Sequence, residues 1–371
     1  MLPANTNTAK ERLGLDAGAN LSDGHARLPN PTPIVNVIDS MSDIFANASS
    51  RAQTEMETEF ADALATVGKY STAHLPILAY SASSLVITIG SAWKRRRSKI
   101  LMVEPAFDNI RDLLLRLGLE VDYIHERSLP AISGETLMSY DALWLTTPNN
   151  PTGTEISEDE YRRLAERCAD GGAAFVADHC FRCFSPNQLA WDNYKLLRSI
   201  PNLTWCGIED TGKMLSLLDV KAGALYCSAD LVGELRESNE DHLLNVSPFV
   251  LGLLTEALRA ISRHDLLHTH LHRSISENRA VFLQNAEVNG SQFQDVSGPF
   301  APFVWLMGSL ADHGQKLEEE ARVRGVHILS GESFYRPGSI EGKRFSRIAL
   351  SRRKELVVAG ACQLSSLLKA P

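Results

Sequence analysis

The stretch ALWLTTPNNPTG, residues 142–153, decides the fold. Its first half is a short apolar run ending in two threonines; its second half is a turn of proline, asparagine, threonine and glycine. An unbroken apolar run of this length, bounded by turn residues, reads as a strand covered on both faces. Such strands form parallel sheets between helices, and open sheets of that kind bind ligands beyond the carboxyl ends of their strands. The turn 148–153 therefore stands where chemistry is expected.

Working outward, ILMVE (100–104), AAFVAD (173–178), LTWCGIE (203–209) and GALYCS (223–228) repeat the strand pattern. Helical segments lie between them. The clearest is SEDEYRRLAERCAD (157–170), where Ser157 and Glu160 form a capping-box pattern and Leu164 and Cys168 continue an apolar face. The alternation predicts a three-layer α/β domain with a mostly parallel sheet. A helical pattern over 249–285, the strand-like PFVWLMG, a helix near 310–324 and FSRIALS predict a smaller α+β domain. The expected division is an arm over 1–35, a large domain over 36–270 and a small domain over 271–371.

The chain of 371 residues, 44% hydrophobic and 22% charged, is ordinary for a globular protein. Its formal charge of −8 argues against nucleic acid or an anionic membrane as principal partner. The basic run Lys94-Arg95-Arg96-Arg97 reads as a solvated helix end. No apolar stretch approaches the ~18 residues of a membrane span, and no signal-peptide pattern opens the chain, so a cytoplasmic location is expected. Six cysteines in this length do not suggest a disulfide framework.

Four strand-end features follow in order: PNNPTG with Asn150, then Asp178, then DTGK with Lys213, and Lys221 just before GALYCS. Each alone is an ordinary turn or surface residue. In this order and at these distances they resemble the fold-type I aminotransferase superfamily of pyridoxal 5'-phosphate (PLP) enzymes. The resemblance implies an aspartate aminotransferase-like fold with PLP as a Schiff base on Lys213, an amine that can later act as a base. It implies that Asp178 pairs with the pyridine nitrogen, keeping the ring an electron sink, and that Asn150 bonds the phenolic oxygen. Ser81, Ala82 and Ser83 of YSASS would hold the phosphate through backbone N–H groups and hydroxyls. Lys221 stands where relatives usually carry a phosphate-binding arginine. Phe107 would stack on the ring, and Arg347 in SRIALS would clamp a substrate carboxylate, with Arg344, Arg352 and Arg353 close by in sequence.

Other constellations carry less. Cys180 and Cys183 form a C-x-x-C without a second pair, which favours pocket lining. His264, His268 and His272 share helical spacing, with His270 between, but no carboxylate pattern accompanies them, and a solvent-facing helix is expected. DTGK lacks the upstream glycine of a phosphate loop.

Asp210 departs from the superfamily pattern, in which hydroxyls near the lysine help hold phosphate. A carboxylate there would repel phosphate, so Asp210 is expected to face a cationic substrate. SDGHAR, FDNI, TTPNNPTG, IEDTGK and LDVKAG together resemble the PLP- and O2-dependent L-arginine oxidases and hydroxylases of enduracididine, azomycin and indolmycin biosynthesis. That resemblance implies oxidation of L-arginine with O2 as co-substrate, giving a 4-hydroxy-2-oxo acid or the simple 2-oxo acid, with ammonia and peroxide. An arginine desaturase shares every motif. An ordinary aminotransferase and a degenerate PLP-fold regulator also stay open. The family's arm orders over substrate: His25 matches its histidine, and Thr8, Glu11 and Asp23 match its polar positions. Glu11 and Asp210 are candidates for the guanidinium. A homodimer with the site at the subunit interface is expected from the superfamily.

Overall fold

A computed structural model describes residues 6–94, 98–288 and 291–369. Three residues of the basic run, Arg95 to Arg97, lie outside the described residues, as do the first five of the arm.

The central sheet has seven strands, ordered Ile77–Ala79, Gly223–Cys227, Trp205–Asp210, Ala174–Asp178, Ala142–Thr146, Lys99–Glu104 and Glu120–His125. Gly223–Cys227 runs antiparallel to both neighbours; the remaining pairs are parallel. All five residues of Ala174–Asp178 are buried, as the apolar runs foretold. The reversed strand matters for the site. Its beginning, not its end, lies at the carboxyl edge of the parallel strands, which brings Lys221 to the same edge as Asp178 and Lys213. Glu120–His125 escapes the sequence pattern because it is an edge strand whose residues are exposed or half-buried.

A second, four-stranded antiparallel sheet orders Leu329–Ser330, Phe345–Ala349, Phe303–Gly308 and Phe293–Asp295. Arg347 sits on an inner strand, opposite Trp305. The expected continuous helix over 249–285 is broken into Pro248–Arg263, a π-helical turn Leu267–His272 and Arg273–Asn285. That turn upsets the histidine spacing. His268 is exposed, but His272 turns inward and its Nε2 meets the Cys183 carbonyl at 2.7 Å. No group of three metal-ligating side chains occurs among the described residues.

The arm has two parts. Asn7–Gly14 is a helix capped by Thr6, whose hydroxyl accepts from the Ala9 N–H. Residues 19–27 are sewn into the small-domain side: Ala19 and Asn20 pair with Val326 and His327, and Leu21 is fully buried. The Leu21 carbonyl accepts from Ala349 N–H at 2.7 Å, and Arg352 donates to the carbonyls of Asn20, Asp23 and His25. No helix among the described residues is long and apolar enough to cross a membrane.

Candidate active site

A cavity of about 300 Å³ opens at the carboxyl edge of the central sheet, between it and the small sheet. Of the residues expected from sequence, Asp23 and Cys183 do not line it; Lys213, His25, Ser81, Ala82, Ser83, Phe107, Asn150, Asp178, Lys221, Thr8, Glu11, Asp210 and Arg347 all do.

Asp178 ends the strand Ala174–Asp178, flanked by the turn carrying Asn150 and the strand leading to Lys213. Its Oδ1 accepts the Cys180 backbone N–H at 2.9 Å. Burial pushes the carboxyl upward; the Cys180 hydrogen bonds and the Lys213 charge oppose that, and Asp210 adds repulsion. A buried carboxylate so placed favours a cationic or N–H partner in the cavity. The Lys213 ammonium lies 5.9 Å from the Phe181 ring centroid. Cys180 lines the cavity whereas Cys183 does not, and both are free thiols.

Ala82 begins the helix Ala82–Lys94, so its N–H belongs to a helix N-terminus suited to an anion. Ser83 Oγ accepts from Asn109 Nδ2 at 3.0 Å, a support not foreseen from sequence although Asn109 belongs to the same FDNI. Two glycines allow the close approach. A Cβ on Gly223 would stand 3.0 Å from the Ser81 carbonyl carbon, and one on Gly212 would stand 2.7 Å from Lys221 Cδ and 3.0 Å from Asp210 Oδ1.

Asp210 lines the cavity and has two backbone partners. Its Oδ2 accepts the Ala82 N–H at 2.9 Å and its Oδ1 the Gly212 N–H at 2.7 Å. The carboxylate thus meets the N-terminus of the helix Ala82–Lys94 while lining the cavity. The sequence hides this because Ala82 lies 128 residues away.

Arg347 is fully buried, with its guanidinium carbon 5.6 Å from the Phe107 ring centroid, 5.7 Å from Phe303 and 5.3 Å from Phe334. Phe107 therefore packs against the arginine and, edge-on, against Phe334. Nη1 donates to Asn150 Oδ1 at 2.8 Å, and Nη2 donates to Glu11 Oε1 at 2.7 Å and to the Ser22 carbonyl. Arginine only donates, so Asn150 is fixed with its oxygen toward Arg347 and its NH2 free to donate elsewhere. Nε is buried without a hydrogen-bond partner. Glu11, expected at a substrate guanidinium, meets the protein's own.

His25 Nδ1 lies 2.7 Å from Asp23 Oδ1, and its Nε2 lies 2.8 Å from Lys221 Nζ. A lysine ammonium cannot accept, so Nε2 carries the lone pair and Nδ1 the proton. Asp23 departs from the expectation. It is 2% exposed, lies behind His25 and also binds Arg27, so it orients the imidazole and does not line the cavity. Burial alone would raise the Asp23 pKa, but His25 and Arg352 outweigh it and hold the carboxyl well below its usual range. Lys221, expected at a phosphate, points to His25 from the cavity wall.

A model of the class I and II aminotransferases matches residues 10–359. A probable aspartate/prephenate aminotransferase of Aquifex aeolicus is 21% identical over 236 residues, covering 62% of this chain and 57% of that protein, less than two thirds of its length. A histidinol-phosphate aminotransferase of Chlorobium chlorochromatii is 23% identical over 271 residues and covers 69% of each. Among solved structures, that of MppP soaked with the product 2-ketoarginine superposes with a TM-score of 0.88 at 31% identity, covering 95% of this chain and all of that one. Aspartate aminotransferase from Thermus thermophilus with maleate gives a TM-score of 0.80 at 14% identity, over 99% and 97% of the two chains, a likeness of fold. The family match runs from inside the arm helix into the last helix, and the chain belongs to the class I and II aminotransferase family.

Proposed function

We propose that this chain is a PLP-dependent oxidase of L-arginine, using O2 and releasing ammonia and hydrogen peroxide with 2-oxo-arginine, 4-hydroxy-2-oxo-arginine or both. The observation that carries the reading is the arm. A histidine whose tautomer is fixed by Asp23 reaches the cavity wall at Lys221, in a chain similar over nearly its whole length to a protein soaked with 2-ketoarginine.

The cavity residues suit PLP. Asp178 would hold the pyridine nitrogen, the Asn150 NH2 the phenolic oxygen, and Ser81, Ser83 and Lys221 the phosphate, with Lys213 as the amine that carries the group; the Ala82 N–H is held by Asp210. PLP supplies an electron sink for the charge released at the substrate α-carbon. Lys213 would then move the α-proton, while Arg347 receives the α-carboxylate, its unpartnered Nε supplying a donor. With Lys221 turned to the phosphate, His25 Nε2 is free to take a proton from water. Simple oxidation consumes one O2 and one water per arginine and yields one peroxide. The hydroxylated product requires two O2 and two waters and yields two peroxides. Release before water adds would give an unsaturated acid. A cytoplasmic homodimer serving specialised-metabolite biosynthesis completes the proposal.

A second reading, an ordinary aminotransferase, is favoured by the curated relatives, which include histidinol-phosphate and aspartate/prephenate aminotransferases. Oxygen uptake separates the two. Holoenzyme with L-arginine in air and no oxo acid should consume O2 and form peroxide; turnover that begins only when an oxo acid is added would support the aminotransferase.

A further inference from the structure

The cradle for the phosphate is short of backbone donors. Asp210 takes the N–H of Ala82, the first residue of the helix Ala82–Lys94, so the hydroxyls beside it carry more of the anion. A hydroxyl has one proton and two lone pairs, and it serves an anion only with the proton aimed at it. Ser81 has no fixed direction: its Oγ accepts from the Ser84 N–H at 3.2 Å and lies 3.1 Å from the Ser84 Oγ, where either hydroxyl can donate.

Ser83 differs. Its oxygen accepts from Asn109 Nδ2 at 3.0 Å and, among the described residues, its proton goes to no group of the chain. Both residues line the cavity. Asn109 belongs to the helix Asp108–Arg116, whose first turn is pinned: Asp108 Oδ2 accepts the Asn7 N–H, and Arg111 Nη1 donates to the Tyr335 carbonyl at 2.8 Å. Two turns on, the same helices meet at Gly90, where a Cβ would stand 2.6 Å from Leu117 Cδ1.

We infer that Asn109 is a positioning residue for the cofactor phosphate: by filling a lone pair of Ser83, it leaves the hydroxyl proton to the anion. This rests on the phosphate lying at Ser83, as proposed above. Asn109 needs no contact with the phosphate itself. Its effect vanishes when Ser83 has no hydroxyl, and a ligand without a phosphate does not feel it.

The test titrates the cofactor-free full chain with PLP and with pyridoxal, which keeps the ring and aldehyde but has no phosphate, and follows the absorbance of the bound group. Asn109→Ala should weaken PLP about fivefold and leave pyridoxal within about twofold of wild type. Ser83→Ala should weaken PLP about tenfold, and adding Asn109→Ala to it should change binding by less than about twofold more. No change of PLP binding in Asn109→Ala, equal weakening of PLP and pyridoxal, or the same loss persisting without the Ser83 hydroxyl would overturn the inference and leave the phosphate at Ser83. Unchanged PLP affinity in Ser83→Ala would overturn the inference and that placement together. Neither result bears on arginine or O2, which oxygen uptake decides.

Discussion

The imidazole of His25 stands between Asp23 and Lys221, 2.7 Å from one and 2.8 Å from the other, so a residue of the arm and a lysine at the carboxyl edge of the sheet share one hydrogen-bonded chain. The arm segment that bears it is held by backbone pairing and by Arg352. His25 is accordingly a fixed wall of the cavity.

Replacing His25 by Ala should therefore alter what is made more than how fast oxygen is used. The hydroxylated fraction of product should fall by about tenfold or more, with O2 uptake within about threefold of wild type. Product masses and an oxygen electrode check both numbers; equal loss of both would give His25 a role in the oxidation itself.

The arm helix is anchored by a residue that the sequence pattern does not single out. The Asn7 N–H donates to the buried Asp108 Oδ2 at 2.8 Å, and Lys10 pairs with Glu318 at 2.7 Å. Asp108 directly follows Phe107, so arm and cavity wall meet at one point. Asp108→Ala removes a cap-like bond of ~1 kcal/mol and should expose Lys10 and Arg12 to trypsin about fivefold more often. A cleavage rate equal to wild type would refute this anchoring.

Much of the site is legible in the sequence because its chemistry sits at strand ends. Asp178 and Lys213 announce themselves as polar residues closing apolar runs, and Arg347 as a charge inside one. What stays hidden depends on partners distant in sequence. Nothing in DTGK shows that Asp210 will meet Ala82, or that Gly212 is needed where Lys221 crosses. The family resemblance implies substrate-side positions for both Asp23 and His25, whereas packing puts Asp23 behind His25. The π-helical turn Leu267–His272 is invisible in an amphipathic pattern that simply continues through it.

Glu209 gives a pH prediction separate from the chemistry. It is 4% exposed, accepts the Tyr194 hydroxyl at 3.1 Å, and is pushed by burial up to about 8, against the pull of Arg182 and Tyr194. In the unfolded chain it ionises near its ordinary 4.5. Between those values the unfolded state has lost a proton that the folded state keeps, so its contribution weakens as pH rises, by ~1.4 kcal/mol per unit, and levels off above about 8. Glu209→Gln should thus be more stable than wild type by ~2–4 kcal/mol near neutral pH and show no such advantage below about pH 4.5. Denaturant midpoints across that range decide it.

Asn150 should act on the cofactor and on Arg347 at once. Asn150→Ala removes the acceptor for Nη1 and the NH2 that would face the phenolic oxygen. The expected result is about tenfold weaker PLP binding together with a shifted visible absorbance of the bound group. Asn150→Asp restores the acceptor but brings a carboxylate to Arg347, so it should bind carboxylate ligands more weakly than Asn150→Ala and leave the spectrum shifted.

The central claim turns on the fate of one nitrogen. Holoenzyme given L-arginine labelled at the α-amino nitrogen, in air and without any oxo acid, should release labelled ammonia over many turnovers while O2 is consumed. Retention of one equivalent of label on the protein-bound cofactor, with no ammonia and no oxygen uptake, would contradict the account and identify an aminotransferase.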